Sequence, residues 1–182
     1  MNMNRILNNR KAIKLTMLIS GVFYCISQGI IINILHPLGI SSVRDLQLSF
    51  DQHGIAAILD RWGGRGIEIF RTSFYLDFIH PVFYSVFLFS TLVYIRKRGR
   101  IDDEGKNVPR LFYIPFIAAI ADIIENFIEL SILNDYTNRG ESIFFFNGLV
   151  STIKWSLAAI SLAMIFVSGV RALVATRKEK GG

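Results

Sequence analysis

The chain has 182 residues, 52% of them hydrophobic, with a mean hydropathy of +0.42, a net charge of +6 and one cysteine. That length is one domain, and the composition is too apolar for a soluble domain of this size. The lone Cys25 excludes an intramolecular disulfide and a zinc-thiolate site. The basic residues flank long apolar runs instead of forming a patch, which excludes nucleic acid as the partner and points to a lipid bilayer.

The first apolar run covers residues 15–35 and follows Arg5, Arg10, Lys11 and Lys14. Its length exceeds the roughly 7–15 residues of a signal-peptide core, and the stretch "HPLGISSV" after it is a poor cleavage site, so a retained span is expected. The loop 36–73 is long for a bundle connection. Within it Ile55, Ile58, Leu59 and Trp62 fall at i, i+3, i+4 and i+7, one apolar helical face closed by Gly63 and Gly64. This predicts a short amphipathic helix on the outer membrane surface, a lid over the bundle, with "WGGRG" as a hinge.

The second span is expected at 74–95. Asp77, His80 and Tyr84 share one stripe of it with Pro81, which frees the Asp77 carbonyl and kinks the helix. The third span is expected at 111–132. It carries Asp122, Glu125, Asn126 and Glu129 at i, i+3, i+4 and i+7, all on one face, with isoleucines and Phe127 opposite. A central carboxylate costs about 2.5–3.5 kcal/mol on the insertion scale, against a return of about 0.3–0.6 for each Leu, Ile or Phe. This span should therefore insert poorly without its neighbours. The fourth span, 146–170, has Asn147, Ser151, Lys154, Ala158, Ser161 and Ser168 along one seam, and the first offers Ser20, Tyr24, Ser27 and Gln28. Four helices with one polar stripe each predict an all-α integral membrane protein, a four-span bundle with its polarity turned inward.

Orientation follows from the positive-inside rule. Fourteen Lys and Arg residues lie at the N-terminus, in the loop 96–110 and at the C-terminus, five in the other two loops (Arg44, Arg61, Arg65, Arg71, Arg139), and Lys154 lies inside a span. Both termini are expected to be cytoplasmic, in a plasma or inner membrane, with loops 36–73 and 133–142 outside. The polar stripes then fall in the outer half of the bilayer.

The spans hold Asp77, Asp122, Glu125 and Glu129 against Lys154, a charge of −3 if all the acids ionise and His80 is neutral. A buried imbalance of that size is untenable without protonation, a bound cation or arginines folding in. Interhelical hydrogen bonding accounts for Asn126, Asn147, Ser151, Tyr84 and Gln28. It accounts poorly for intramembrane acids, which default to function. The candidate ligand- or proton-binding residues are Asp77, His80, Tyr84, Asp122, Glu125, Asn126, Glu129 and Lys154. Lys154 is expected to bridge to Asp122 or Glu125, and Glu125 to carry any ligand-linked stabilisation.

Three function classes are consistent with this pattern. The first is a cation- or proton-binding protein, in transport if it forms a homo-oligomer or joins a membrane-protein partner, because one four-span chain is small for a transporter. The second is an intramembrane enzyme acting on a lipid or isoprenoid-like substrate. In it His80 would be the general base oriented by Asp77 and Glu125 the acid, or a divalent cation would sit among Asp77, His80, Asp122 and Glu125. The third is an accessory protein with a structural seam. No P-loop, GxSxG or dinucleotide fingerprint occurs.

Overall fold

The computed structural model describes residues 9–99 and 108–181, with 176–181 as backbone only. The basic residues Arg5, Arg100, Lys106, Arg177, Lys178 and Lys180, which enter the orientation count, lie outside the described side chains. The described residues are helical: α1 Arg10–Leu35, a 3₁₀ turn His36–Leu38, α2 Ile40–Gln47, α3 Gln52–Asp77, α4 His80–Arg98, a 3₁₀ turn Arg110–Tyr113, α5 Ile114–Asn134 and α6 Glu141–Gly181. Helices α1, α5 and α6 are each long and apolar enough to cross a membrane, and α3 with α4 makes a fourth candidate as a bent pair.

The helix ends follow from the sequence. Asn9 caps α1, its Oδ1 accepting from the Lys11 and Ala12 amides at 3.0 and 3.3 Å. Asp51 caps α3 through the Gly54 amide at 2.8 Å. Pro81 and Pro115 stand in the first turns of α4 and α5, where a missing N–H costs nothing.

Burial is inverted relative to a water-soluble bundle. On α1 Ser20 and Ser27 are buried, with their hydroxyls bonded to the Thr16 and Phe23 carbonyls one turn back. Leu15, Leu18, Ile19, Val22 and Ile26 of the same helix are exposed. Helix α5 likewise buries Asp122, Glu125, Asn126 and Glu129 and exposes Ile117, Ile120, Ile124 and Phe127. Apolar stripes left outward on several helices suit a hydrocarbon solvent.

The span expected at 74–95 is not one helix. The chain breaks at Phe78–Ile79 and the two helices meet at a 46° bend. The expected kink at Pro81 is instead the start of α4, because proline is tolerated in a first turn and not in a helix interior.

The amphipathic stretch 55–62 forms the first half of α3, which ends at Gly63 with φ 60°, a conformation that favours glycine. Its apolar face is turned onto protein. Ile55 and Leu59 are fully buried in a cluster with Leu46 of α2, Phe74 of α3, Ile132 of α5 and Phe144 of α6. Helix α2, which lies within the stretch expected as loop, completes that cluster with Val43 and Leu46. The cap is tied down by polar contacts: Gln52 Nε2 donates to the Tyr136 carbonyl at 3.1 Å, and the Tyr136 hydroxyl donates to Asp60 Oδ1 at 2.6 Å. That bond to Asp60 holds the phenol above its usual pKa. Gly148 of α6 permits the closest approach, since a Cβ there would lie 2.7 Å from the Phe50 ring and 2.8 Å from the Ser49 carbonyl oxygen.

At the other end Ile13 of α1, Leu92 and Val93 of α4 and Phe112 form a second apolar cluster. Helix α6 runs on to residue 181, well beyond the 146–170 read as a span.

Candidate functional site

Antiparallel α5 and α6 face each other along their polar stripes. Lys154 Nζ lies 3.2 Å from Asp122 Oδ1 and pairs with Glu125 Oε2, whose other oxygen accepts from the Ser151 hydroxyl. Lys154 is 7% exposed and Glu125 0%, so the ion pair is removed from solvent. A lysine has three N–H donors and two of its acceptors are supplied by successive turns of one helix. Tyr84 of α4 lies beside Asp122, and Asp77 at the end of α3 is within electrostatic reach of Asp122, Lys154 and Glu125.

The break between α3 and α4 leaves the Asp77 carbonyl without a helical partner, and Asn126 Nδ2 donates to it at 3.0 Å. Asn147 of α6 plays the same part for α2, donating to the Leu46 and Gln47 carbonyls, each at 3.3 Å. In both amides the nitrogen is committed to backbone, which fixes the orientation of the side chain. The oxygens, Asn126 Oδ1 and Asn147 Oδ1, are buried with no hydrogen-bond partner among the described residues.

Glu129 stands one turn above Glu125 on the same face of α5. It is 1% exposed, and neither carboxylate oxygen has a hydrogen-bond partner among the described residues. Two arginines, Arg71 and Arg139, are engaged elsewhere. Arg71 donates to Asn134 Oδ1 at 2.8 Å, and Arg139 to the Ser131 carbonyl at 3.2 Å. Ser151 with Glu125 and Lys154 with Asp122 fix the antiparallel register of α5 and α6, and one turn further it brings Asn147 to the height of Glu129.

His80 is buried, but Asp77 does not orient it. Its Nδ1 lies 2.8 Å from the Ser27 hydroxyl of α1, with Tyr24 and Tyr84 packed beside the ring at centroid distances of 5.4 and 5.6 Å. Among the described residues no three His, Cys, Asp or Glu side chains come together to hold a metal ion. The Lys154 ammonium stands between two of the four metal candidates, Asp122 and Glu125. The structure therefore brings Asp122, Glu125, Lys154 and Tyr84 together, sets Asn126 and Glu129 above them, and turns His80 toward α1.

Sequence periodicity found the acidic stripe and gave Asn147 an interhelical hydrogen bond, but it named neither that bond's acceptor nor the partner of Ser27. Their partners, His80 and the end of α2, lie 53 or more positions away in the chain.

The fold and site define a class, a helical bundle with three or four helices long and apolar enough to cross a membrane and a buried polar centre. No family model, no curated protein and no solved structure matches this chain.

Proposed function

We propose that this is a four-span membrane protein that binds a small monovalent cation at Glu129, from the outer side of a plasma or inner membrane, with both termini cytoplasmic. The observation that carries the reading is the isolation of Glu129, a buried carboxylate with both oxygens unpartnered beside two unpartnered amide oxygens. These four oxygens are all acceptors. A proton on Glu129 would be a single donor and would satisfy one of them, whereas a hard cation takes oxygen ligands of this kind all at once. Lys154 supports the assignment from below. It already neutralises one charge of the Asp122–Glu125 pair, and it reaches Glu129 only through its field, with no hydrogen bond or ion pair between them among the described residues.

Melting of the purified protein in detergent tests the site, with sodium or potassium chloride exchanged for choline chloride at constant ionic strength. The melting temperature is expected to rise with the alkali ion, because a ligand at 100 times its Kd stabilises by about 2.7 kcal/mol. Glu129→Gln should fold, since it removes a desolvated charge and keeps the shape, and it should lose that rise. A response that is the same in choline, or that follows acidification and not the alkali ion, would overturn the proposal.

The topology has its own test. In a Cys25→Ser background, Thr137→Cys should react with a membrane-impermeant maleimide added to intact cells, and Asp103→Cys only after permeabilisation. The opposite pattern would reverse the orientation and close the site to the outer side.

A further inference from the structure

A second site lies outside the acidic cluster, in a cavity of ≈ 430 Å³ between the 3₁₀ turn, α2 and α3. It is lined by Pro37, Leu38, Ser42, Arg61, Trp62 and Arg65, with Gly66 in its wall. A Cβ on Gly66 would lie 3.2 Å from Leu38 Cδ2 and 2.5 Å from Trp62 Cβ, so the glycine is what lets the turn and the indole close on each other. The Trp62 indole N–H donates to the Ser42 hydroxyl at 2.9 Å, which leaves that hydroxyl's own proton free for a further acceptor.

The arginines carry the argument. Five lie in loops 36–73 and 133–142, the side on which positive charge is disfavoured if those loops are outside. Arg44 is held by Asp45 at 3.2 Å, Arg71 by Glu68 at 3.3 Å as well as by Asn134, and Arg139 by the Ser131 carbonyl. Arg61 and Arg65 have no partner among the described residues, and both line this one cavity. Two unpaired guanidinium groups beside a hydroxyl donor form a site for an anion with several acceptor oxygens, and the guanidinium fork fits phosphate in particular. An apolar wall of Pro37, Leu38, Ile69 and the indole fits the boundary between headgroup and acyl chain.

We propose that this cavity binds a phosphate group, with Arg61 and Arg65 as its ligands and Ser42 as a third donor. The phosphate is either that of a lipid headgroup with net negative charge or a free anion, and this site is independent of the cation at Glu129. Trp62 supplies the readout in the full-length protein carrying Trp155→Phe, because Trp155 is the second tryptophan and is exposed. Trp62 fluorescence is followed in detergent on titration with short-chain phosphatidylglycerol, short-chain phosphatidylcholine and inorganic phosphate. A saturable change with phosphatidylglycerol but not with phosphatidylcholine is expected, and it should be lost when Arg61→Gln and Arg65→Gln are combined and kept in Arg44→Gln. Saturation by inorganic phosphate at the same concentrations would assign the site to a free anion, and a response to phosphatidylglycerol alone would assign it to the lipid. Both arginines are exposed, so the double variant is expected to fold, and its unchanged melting temperature checks this. No saturable change with phosphatidylglycerol or with inorganic phosphate, an equal response to phosphatidylcholine, or an equal response in a folded double variant would overturn the proposal.

Discussion

Lys154→Met should be the most damaging single substitution in this chain, with a loss of about 3–5 kcal/mol. The change removes the cation from between Asp122 and Glu125 and leaves two carboxylates buried together with no counter-charge. Methionine fills a similar volume, so the loss is electrostatic rather than a cavity effect. The triple variant Asp122→Asn, Glu125→Gln and Lys154→Met should recover most of the stability, because replacing a whole buried ion pair is often neutral where breaking it is not. Fluorescence-detected size exclusion and thermal melting in detergent measure both. A single variant that melts like the parent would show that Lys154 is not the internal counter-ion. A triple variant no better than the single would place the cost in packing instead.

Phe144→Ala is expected to lose about 3–5 kcal/mol for a different reason, the cavity left by a large fully buried side chain. Phe144 is 0% exposed and joins α6 to Leu46 of α2, Ile55 and Leu59 of α3, and Ile132 of α5. It is the residue through which the capping helices grip the bundle, so its removal should loosen the cap as well as lower overall stability. Denaturant titration in mixed micelles gives the loss, and proteolysis within 49–51, between α2 and α3, reports the loosening. A loss below about 1 kcal/mol would mean that the cap is held by its polar contacts, those of Gln52, Asp60 and Tyr136 and of Asn147 with the end of α2.

The parts of this molecule that were legible in the sequence are those set by a period within one segment. The 3.6-residue repeat put Asp122, Glu125, Asn126 and Glu129 on one face of α5, and the same repeat found the face of Ile55 and Leu59. The α3–α4 break was half legible. Pro81 announced a disturbance, but a proline reads equally as a kink inside a helix or as the first turn of a new one, and only the packing of Asn126 against the Asp77 carbonyl distinguishes the two. Helix α2 was missed because eight residues holding Val43 and Leu46 give too few repeats to stand out from loop. The expected pairing of Asp77 with His80 relied on neighbours along one helix, whereas the histidine found its partner across the bundle in Ser27. The special position of Glu129 was illegible for the same reason. Nothing in its own segment separates it from Glu125, and what does is that Lys154 forms its ion pair with the lower acid and acts on the upper one only through its field.

The Lys154 ion pair also sets an order of events during synthesis. Asp122 and Glu125 leave the ribosome ahead of the lysine that neutralises them, and Lys154 follows Asp122 by 32 residues. At roughly 5–20 residues per second the acids wait roughly 2–6 s for their cation. The Asp77 carbonyl waits in turn for the amide of Asn126. Each early segment thus carries a debt of polarity that only a later one clears, so lateral release of the helices into lipid one at a time is disfavoured. If α5 and α6 cross a membrane, as proposed, the unit that can enter lipid with its charges paired is their hairpin, complete only once residue 154 has been made.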